Sequence, residues 1–324
     1  FSRENPAVFQ AKHITDVHAL GFSGRHAIDR RFGINYAGQL TADTIESTTL
    51  ERGKFQSRSY YKLSLLPEYR LERNSDETVS IRAGASYDDT NRNDSELSLI
   101  GDITWERAHG DGHSESIYLS YAESSQVVGY TAIGGRTTGL FASNPNLDNE
   151  TSRNLELGGS FDRGDWSLDA AAFHRWDEDL TDWTFGSGNS SARTANPVDI
   201  ETFGVEVIAT RRIGEVELIG SYTYLNKDED YGAANVDASF YALNFARHRL
   251  TLGGIWRPVD WFELRIDNEW RDQKENDLRN SDDTALFTHI GVSFYPPQVD
   301  GLEIFLAGDN IWGEDFEDVP GTPG

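Results

Sequence analysis

The stretch that decides the fold is Trp261-Phe-Glu-Leu-Arg-Ile-Asp-Asn-Glu-Trp-Arg-Asp-Gln273. Apolar residues stand at Phe262, Leu264, Ile266 and Trp270, and charged ones between them at Glu263, Arg265, Asp267, Glu269 and Arg271. This period of two indicates a β-strand, because successive side chains of a strand point to opposite faces. Five charges on one face are costly in a packed core, but they suit a water-filled lumen opposite a lipid-facing row. The stretch therefore predicts one strand of a wide transmembrane barrel.

The same alternation recurs in about thirteen segments of roughly ten residues from near Phe32 onward. The clearest segments are 61–71, 79–87, 97–105, 117–121, 166–172, 216–224, 250–256 and 286–294. Aromatic residues concentrate near the segment ends, where the interfacial girdles of a barrel require them. Residues 1–28 lack clean alternation, and we expect a loop and one strand there.

The connections show a second regularity, because short turns alternate with long loops. The short ones are 73–77, 109–114, 162–165, 212–215, 258–261 and 296–301, and the long ones are 41–58, 123–154, 177–200, 226–245 and 272–284, with 88–95 as a shorter exception. Tight turns at one end and long loops at the other are typical of outer-membrane barrels. The sequence therefore predicts an all-β fold, an antiparallel up-and-down transmembrane β-barrel, as a single domain over residues 1–324.

Composition limits the functional classes. The 54 acidic and 29 basic residues give a net charge of -25, which disfavours nucleic acid as a partner. The absence of cysteine excludes a thiol nucleophile and a thiolate metal site. No phosphate loop, nucleophile elbow or zinc-protease motif is present, so we predict no enzyme, no catalytic residues, no cofactor and no metal site. Without methionine and opening on Phe1, the sequence is interpreted as a processed or incomplete chain.

Three segments carry a family resemblance. The stretch Asn144-Pro-Asn-Leu-Asp-Asn-Glu-Thr151 resembles the segment that leads into a barrel strand of TonB-dependent receptors, although Asp148 and Asn149 stand where that family commonly has Lys and Pro. Asp199-Ile-Glu-Thr-Phe-Gly-Val-Glu206 and Asp309-Asn-Ile-Trp-Gly-Glu-Asp-Phe-Glu317 are similar to two later strand segments of the same family. The resemblance covers roughly residues 60–324.

The resemblance implies an outer-membrane receptor of a Gram-negative bacterium. In that family a barrel of about 22 strands encloses an amino-terminal plug, and an inner-membrane energy-coupling complex acts on the plug to admit a scarce nutrient such as an iron-siderophore, cobalamin or oligosaccharide. Outer-membrane lipid surrounds the barrel. We expect this chain to be a partial barrel of about thirteen strands, with the plug and the last strand outside it.

The candidate ligand-binding residues lie in the predicted outer loops, where aromatic and charged groups can grip a ligand. They are Tyr130, Arg136, Phe141, Trp183, Phe185, Tyr231, Phe240 and Tyr241. The alternative is that they pack the loops against one another. The acidic runs 177–182, 228–230 and 314–318 are interpreted as solvated loop charge, and His109 and His113 as turn residues.

Two other functions remain open from the residues alone. One is a passive porin or a structural adhesin barrel, which needs no plug. The other is a secreted soluble β protein, including a carbohydrate-active enzyme, in which the apolar rows meet between two packed sheets. The direction in which Phe262, Leu264 and Ile266 point separates this second alternative from a membrane barrel.

Overall fold

The computed structural model describes residues 2–5, 9–51, 56–110, 112–186 and 192–319, with side chains from residue 12 onward. Its strands are β1 Ser2–Asn5, β2 Phe9–Ala27, β3 Phe32–Ser47, β4 Ser57–Glu72, β5 Glu77–Thr90, β6 Glu96–Ala108, β7 Ser114–Gln126, β8 Phe141–Ala142, β9 Glu150–Arg163, β10 Trp166–Phe185, β11 Arg193–Ile213, β12 Val216–Asp230, β13 Ala238–Ser239, β14 Ala246–Val259, β15 Phe262–Gln273, β16 Thr284–Phe294 and β17 Ile304–Gly308. A single helical turn, α1, spans Tyr130–Ile133.

The strands form one antiparallel up-and-down wall. Consecutive strands pair along the chain, except that β7 pairs with β9 and β12 with β14, because the two-residue strands β8 and β13 lie in loops. From Phe32 onward the described part of the wall contains thirteen strands when the two-residue β8 and β13 are left out, which confirms the predicted number. The described strands do not close into a complete barrel.

The register places most apolar alternates of the strands on one side of the wall. One such row runs through Ile103, Leu119, Leu157, Ala172 and Val205, each directly opposite the next across a strand pair. Leu119 is 46% exposed and Leu157 is 55% exposed. Apolar side chains so exposed are unfavourable in water and favourable in lipid. This side is called the outer face below.

The opposite side, the inner face, carries the polar alternates. Ser86 and Ser98 lie opposite each other across β5 and β6 and are only 1% and 4% exposed. On β15, Glu263 pairs with Arg257 at 2.7 Å, and Arg271 with Glu269 at 2.5 Å, while Ile266 and Trp270 are exposed on the outer face. The apolar rows therefore do not meet between two packed sheets. The alternative of a soluble β protein required that arrangement, so the structure does not support it.

Aromatic side chains mark both borders of the apolar band, as predicted. Near the short turns lie Phe32, Tyr69, Trp105, Phe161, Trp166, Trp256, Trp261 and Phe294, and near the long loops lie Tyr61, Tyr87, Tyr121, Trp176, Phe203, Tyr224 and Trp270. Neighbouring rings also touch, as Phe32 and Tyr69 do with centroids 4.8 Å apart. Amphipathic rings prefer the level of lipid headgroups, so the two girdles delimit the segment that crosses the bilayer.

One predicted loop was wrong, and one weakly patterned segment contains more strand than expected. Strands replace most of the loop expected over 177–200, because β10 continues to Phe185 and β11 begins at Arg193, with Thr184 paired to Thr194. Residues 1–28, expected to form a loop and one strand, contain the short strand β1 and the long strand β2. The alternation of β2 is blurred because Val17 and Ala19 occupy inner-face positions, opposite Asp43 and Thr41. Within the described residues, no helix has the length and apolarity needed to cross a membrane.

Candidate ligand site at the outer mouth

The loop end of the wall is organised by three segments. The roof loop (127–149) contains α1 and β8, the side loop (231–245) contains β13, and the β10–β11 extension consists of residues 177–185 and 193–200. The extension lies between the two loops, with the roof loop on one of its faces and the side loop on the other. Contacts on both faces explain why the two strands continue beyond the membrane.

One side of the roof loop packs against the β10–β11 extension through apolar residues. Its residues Val128, Ala132, Ile133 and Leu147 are buried against Ala195 of the extension, with Trp183 packed on the cluster. Burying a Val, Leu or Ile side chain contributes about 1.5–3 kcal/mol. This cluster therefore fixes the roof loop to β10 and β11.

The opposite side of the roof loop contacts β3 and β4. The Tyr130 hydroxyl donates to a carboxylate oxygen of Asp43, and Arg58 donates to the other oxygen at 2.8 Å. The Arg58 guanidinium also lies 4.9 Å from the centre of the Tyr130 ring. The backbone nitrogen of Glu51 donates to the carbonyl of Gly134 at 2.8 Å. The roof loop thus bridges two distant parts of the wall.

Tyr130 gives this bridge a defined pH dependence. Burial, and then the hydrogen bond to Asp43, raise the pKa of Tyr130 from 10.0 to about 12. The protonated phenol is the donor, so its contribution is complete below pH 10 and is lost as the pH rises through about 12. We expect the phenolate absorbance of wild type, minus that of Tyr130→Phe, to develop near pH 12. A difference that develops near pH 10 contradicts the bridge.

Beneath the roof loop lies a cavity of about 580 Å³, called the mouth cavity. Its aromatic wall is formed by Phe141 and Trp183, whose rings meet edge to face with centroids 5.5 Å apart. Its polar lining consists of Arg136, His13, Thr48, Thr49, Thr131, Thr138 and Ser143. None of the described residues that line it is acidic, although the chain has a net charge of -25.

Two groups of the mouth cavity have unused hydrogen-bonding capacity. Nδ1 of His13 is buried and has no hydrogen-bond partner among the described residues. Arg136 is exposed, and no described carboxylate lies within ion-pair distance of its guanidinium. Unpaired cationic and polar groups beside an aromatic wall are suited to an anionic ligand with a planar part.

Asp182 anchors the side loop on the other face of the extension. It is fully buried, and one carboxylate oxygen accepts from the backbone nitrogens of Phe240 and Tyr241, each at 3.1 Å. The other oxygen accepts from the nitrogen of Ala242 and the hydroxyl of Tyr231, each at 2.9 Å. Burial, and then the charge of Asp182, raise the pKa of Tyr231 well above its ordinary value. The interpretation of Asp182 as solvated loop charge was therefore wrong.

The eight predicted residues divide between the cavity and the loop packing. Arg136, Phe141 and Trp183 line the mouth cavity. Tyr130 and Tyr231 serve the loop contacts described above. Phe185 is buried, with the Arg193 guanidinium 3.7 Å from its ring centre and 5.2 Å from that of Phe240. Tyr241 is exposed beside a hollow of about 370 Å³. Trp183 and Phe185 lie on strand β10, where a loop was expected.

Sequence reasoning missed His13, Thr48 and Thr49 as cavity residues. His13 lies on β2, whose alternation is weak, and neither threonine stands in a recognisable motif. Only the path of the roof loop brings these residues to Trp183, and that path depends on contacts between distant parts of the sequence.

A second hollow, of about 630 Å³, has the opposite character. It is lined by Asp94, Glu96, Glu123, Asp148, Glu178 and Asp179, with Arg153 as its basic residue. Arg153 pairs with Glu178 at 2.5 Å. The described residues contain no group of three or more His, Asp or Glu side chains placed to hold a metal ion. His109 and His113 join through their backbones in a turn, and Asp111 between them lies outside the described residues.

Comparison with known proteins places this fold in a family. Residues 12–311 match the family model described as TonB dependent receptor-like, beta-barrel. The FrpB iron transporter from Neisseria meningitidis is similar in structure, with a TM-score of 0.64 at 13% identity, over 96% of this chain and 52% of that one. The siderophore receptor PirA from Pseudomonas aeruginosa gives 0.62 at 13% identity, over 96% and 55%. No curated protein sequence matches the chain.

A third similar structure is the ferripyoverdine receptor of Pseudomonas aeruginosa bound to ferripyoverdine, with a TM-score of 0.60 at 11% identity, over 95% of this chain and 45% of that one. The chain thus spans about half the length of the structures it matches. At such low identity the likeness shows the fold and carries no statement about the ligand.

Proposed function

Because the chain belongs to the family of TonB-dependent receptor-like β-barrels, we propose that it forms part of the wall and mouth of an outer-membrane receptor that takes up a scarce nutrient by energy-coupled transport in a Gram-negative bacterium. The exposed apolar outer face and the polar inner face support a membrane-spanning wall with a hydrated interior. Energy coupling would act through a plug and an inner-membrane complex, as the family resemblance implies.

The mouth cavity is the proposed site of first contact with the nutrient, and an anionic metal chelate of the iron-siderophore kind is the proposed ligand. This choice rests on one observation: none of the described residues that line the cavity is acidic, although the chain has a net charge of -25. Arg136 offers charge-assisted hydrogen bonds to a carboxylate or phenolate oxygen. Phe141 and Trp183 offer faces on which a planar chelating group can stack. The names of the similar iron transporter and siderophore receptors agree with this chemistry.

Arg136→Ala tests the proposal. We expect about 10- to 100-fold weaker binding of an anionic ferric chelate, since a hydrogen bond to a charged group contributes about 1.5–3 kcal/mol. Isothermal titration calorimetry on the whole receptor in detergent, with ferric tris-catecholate, tris-hydroxamate and citrate complexes as probes, measures the change. Arg30→Ala, an exposed arginine in the turn 28–31 at the opposite end of the wall, is the matched control.

Two results would overturn the assignment. One is unchanged affinity for every ferric chelate in Arg136→Ala. The other is a wild-type receptor that binds a neutral oligosaccharide tightly and all three chelates weakly, because the cationic lining then has no role in ligand selection.

A further inference from the structure

An unusual group of side chains lies on the outer face at the turn end of the wall. Arg163 of β9, Trp166 of β10 and Arg211 of β11 are direct cross-strand neighbours. The two-residue turn between β9 and β10 places Gly164 at a φ of 58°, a conformation that glycine adopts without strain. This tight turn holds Arg163 beside Trp166. The three residues are called the basic triplet.

The two arginines of the triplet have no carboxylate partner among the described residues. Within the described part of the chain, neither Arg163 nor Arg211 forms an ion pair, and the Nε of Arg211 is buried without an acceptor. The Arg211 guanidinium lies 4.1 Å from the centre of the Trp166 ring. Three other arginines near the turns are paired: Arg107 with Glu77 and Glu115, Arg212 with Glu217, and Arg257 with Glu263.

The triplet lies at the level of the lipid headgroups. Trp166 belongs to the aromatic girdle at the turn end and is 48% exposed, and Phe161 and Leu168, the next outward residues on β9 and β10, are also exposed. Farther along the same face come the small residues Gly159 and Ala170, which are opposite each other. The outer face next to the two guanidinium groups, on the side toward the membrane centre, is therefore apolar. The small side chains at Gly159 and Ala170 leave room there for an acyl chain.

We propose that the basic triplet binds the phosphate of an anionic phospholipid in the leaflet at the turn end. Two guanidinium groups supply charge-assisted donors in a geometry that suits phosphate oxygens. The indole nitrogen of Trp166 adds a donor, and basic clusters at membrane level are recognised sites for anionic headgroups. The source is a lipid rather than free phosphate, because the surrounding surface is the exposed apolar face that contacts the bilayer.

Native mass spectrometry of the whole receptor, without any nutrient, tests this inference. Wild type, released from detergent containing equal amounts of phosphatidylglycerol and phosphatidylcholine, is expected to retain at least about fivefold more phosphatidylglycerol. The double variant Arg163→Gln and Arg211→Gln is expected to lose that preference. Arg30→Gln is the control, since Arg30 is an exposed arginine in another turn at the same end.

Folding of each variant is verified by the heat-dependent gel mobility of the barrel. If the double variant does not fold, the single variants Arg163→Gln and Arg211→Gln are measured, and each is expected to reduce the preference. Equal retention of the two lipids by wild type overturns the inference, as does an unchanged preference in the folded variants. Since the readout involves no nutrient, either result leaves the proposed transport function unaffected.

Discussion

Asp182→Ala is expected to detach the side loop from the β10–β11 extension. The substitution removes the acceptor for three backbone nitrogens and for the Tyr231 hydroxyl. Buried donors left without a partner cost about 1–3 kcal/mol each when they stay buried, so the loop is expected to open and to lose about 3–5 kcal/mol of local stability. Hydrogen exchange of the amides of Phe240, Tyr241 and Ala242 should accelerate about 100-fold or more.

Asp228→Ala is the matched control for this experiment. Asp228 lies on β12 near the same loop, but its side chain is exposed and forms no hydrogen bond with another described residue. Its replacement should leave the exchange of the side-loop amides unchanged. Asp182→Asn should have an intermediate effect, because one oxygen remains an acceptor while the amide group faces donors. Equal protection in all three variants would show that packing against Val198 and Ile200 holds the loop without Asp182.

The wall could be predicted from the sequence because its physical cause is local. Phe262, Leu264 and Ile266 alternate with Glu263 and Arg265 along one strand, and lipid on one side with water on the other requires that alternation. The observed register confirms it, since Ile266 lies opposite Gly254 and Ile290 on the same face. The alternation of short turns and long loops was a second regularity visible in the sequence.

The mouth could not be predicted in the same way. Asp182 appears in the sequence as one acid in an acidic run, and its burial depends on a loop that returns about sixty positions later. His13 and Trp183 meet in one cavity only because the roof loop crosses from β7 to β3. Neither contact leaves a periodic signal, so residue type alone did not separate the cavity residues Phe141 and Arg136 from the packing residue Phe185.

Leu119→Arg is expected to be the most damaging single change within the membrane. Leu119 occupies the middle of β7 on the outer face, between Ile103 and Leu157, and all three side chains are exposed. An arginine facing lipid near the centre of the bilayer destabilises a barrel by about 2–4 kcal/mol. In phospholipid vesicles, the folded fraction of the whole receptor, measured by heat-dependent gel mobility across a urea series, should fall at lower urea than in wild type.

Ser120→Arg is the matched comparison, one residue away on the same strand. Its side chain is on the inner face, where Asp102 and Glu156 lie directly opposite on the neighbouring strands. An arginine there meets water and two carboxylates instead of lipid, so its urea midpoint should stay close to that of wild type. Both substitutions introduce an arginine into β7, one on the outer face and the other on the inner face. If the two substitutions lower the urea midpoint equally, the assignment of lipid to the outer face is wrong. The transport proposal, which requires a membrane-spanning wall, is then unsupported.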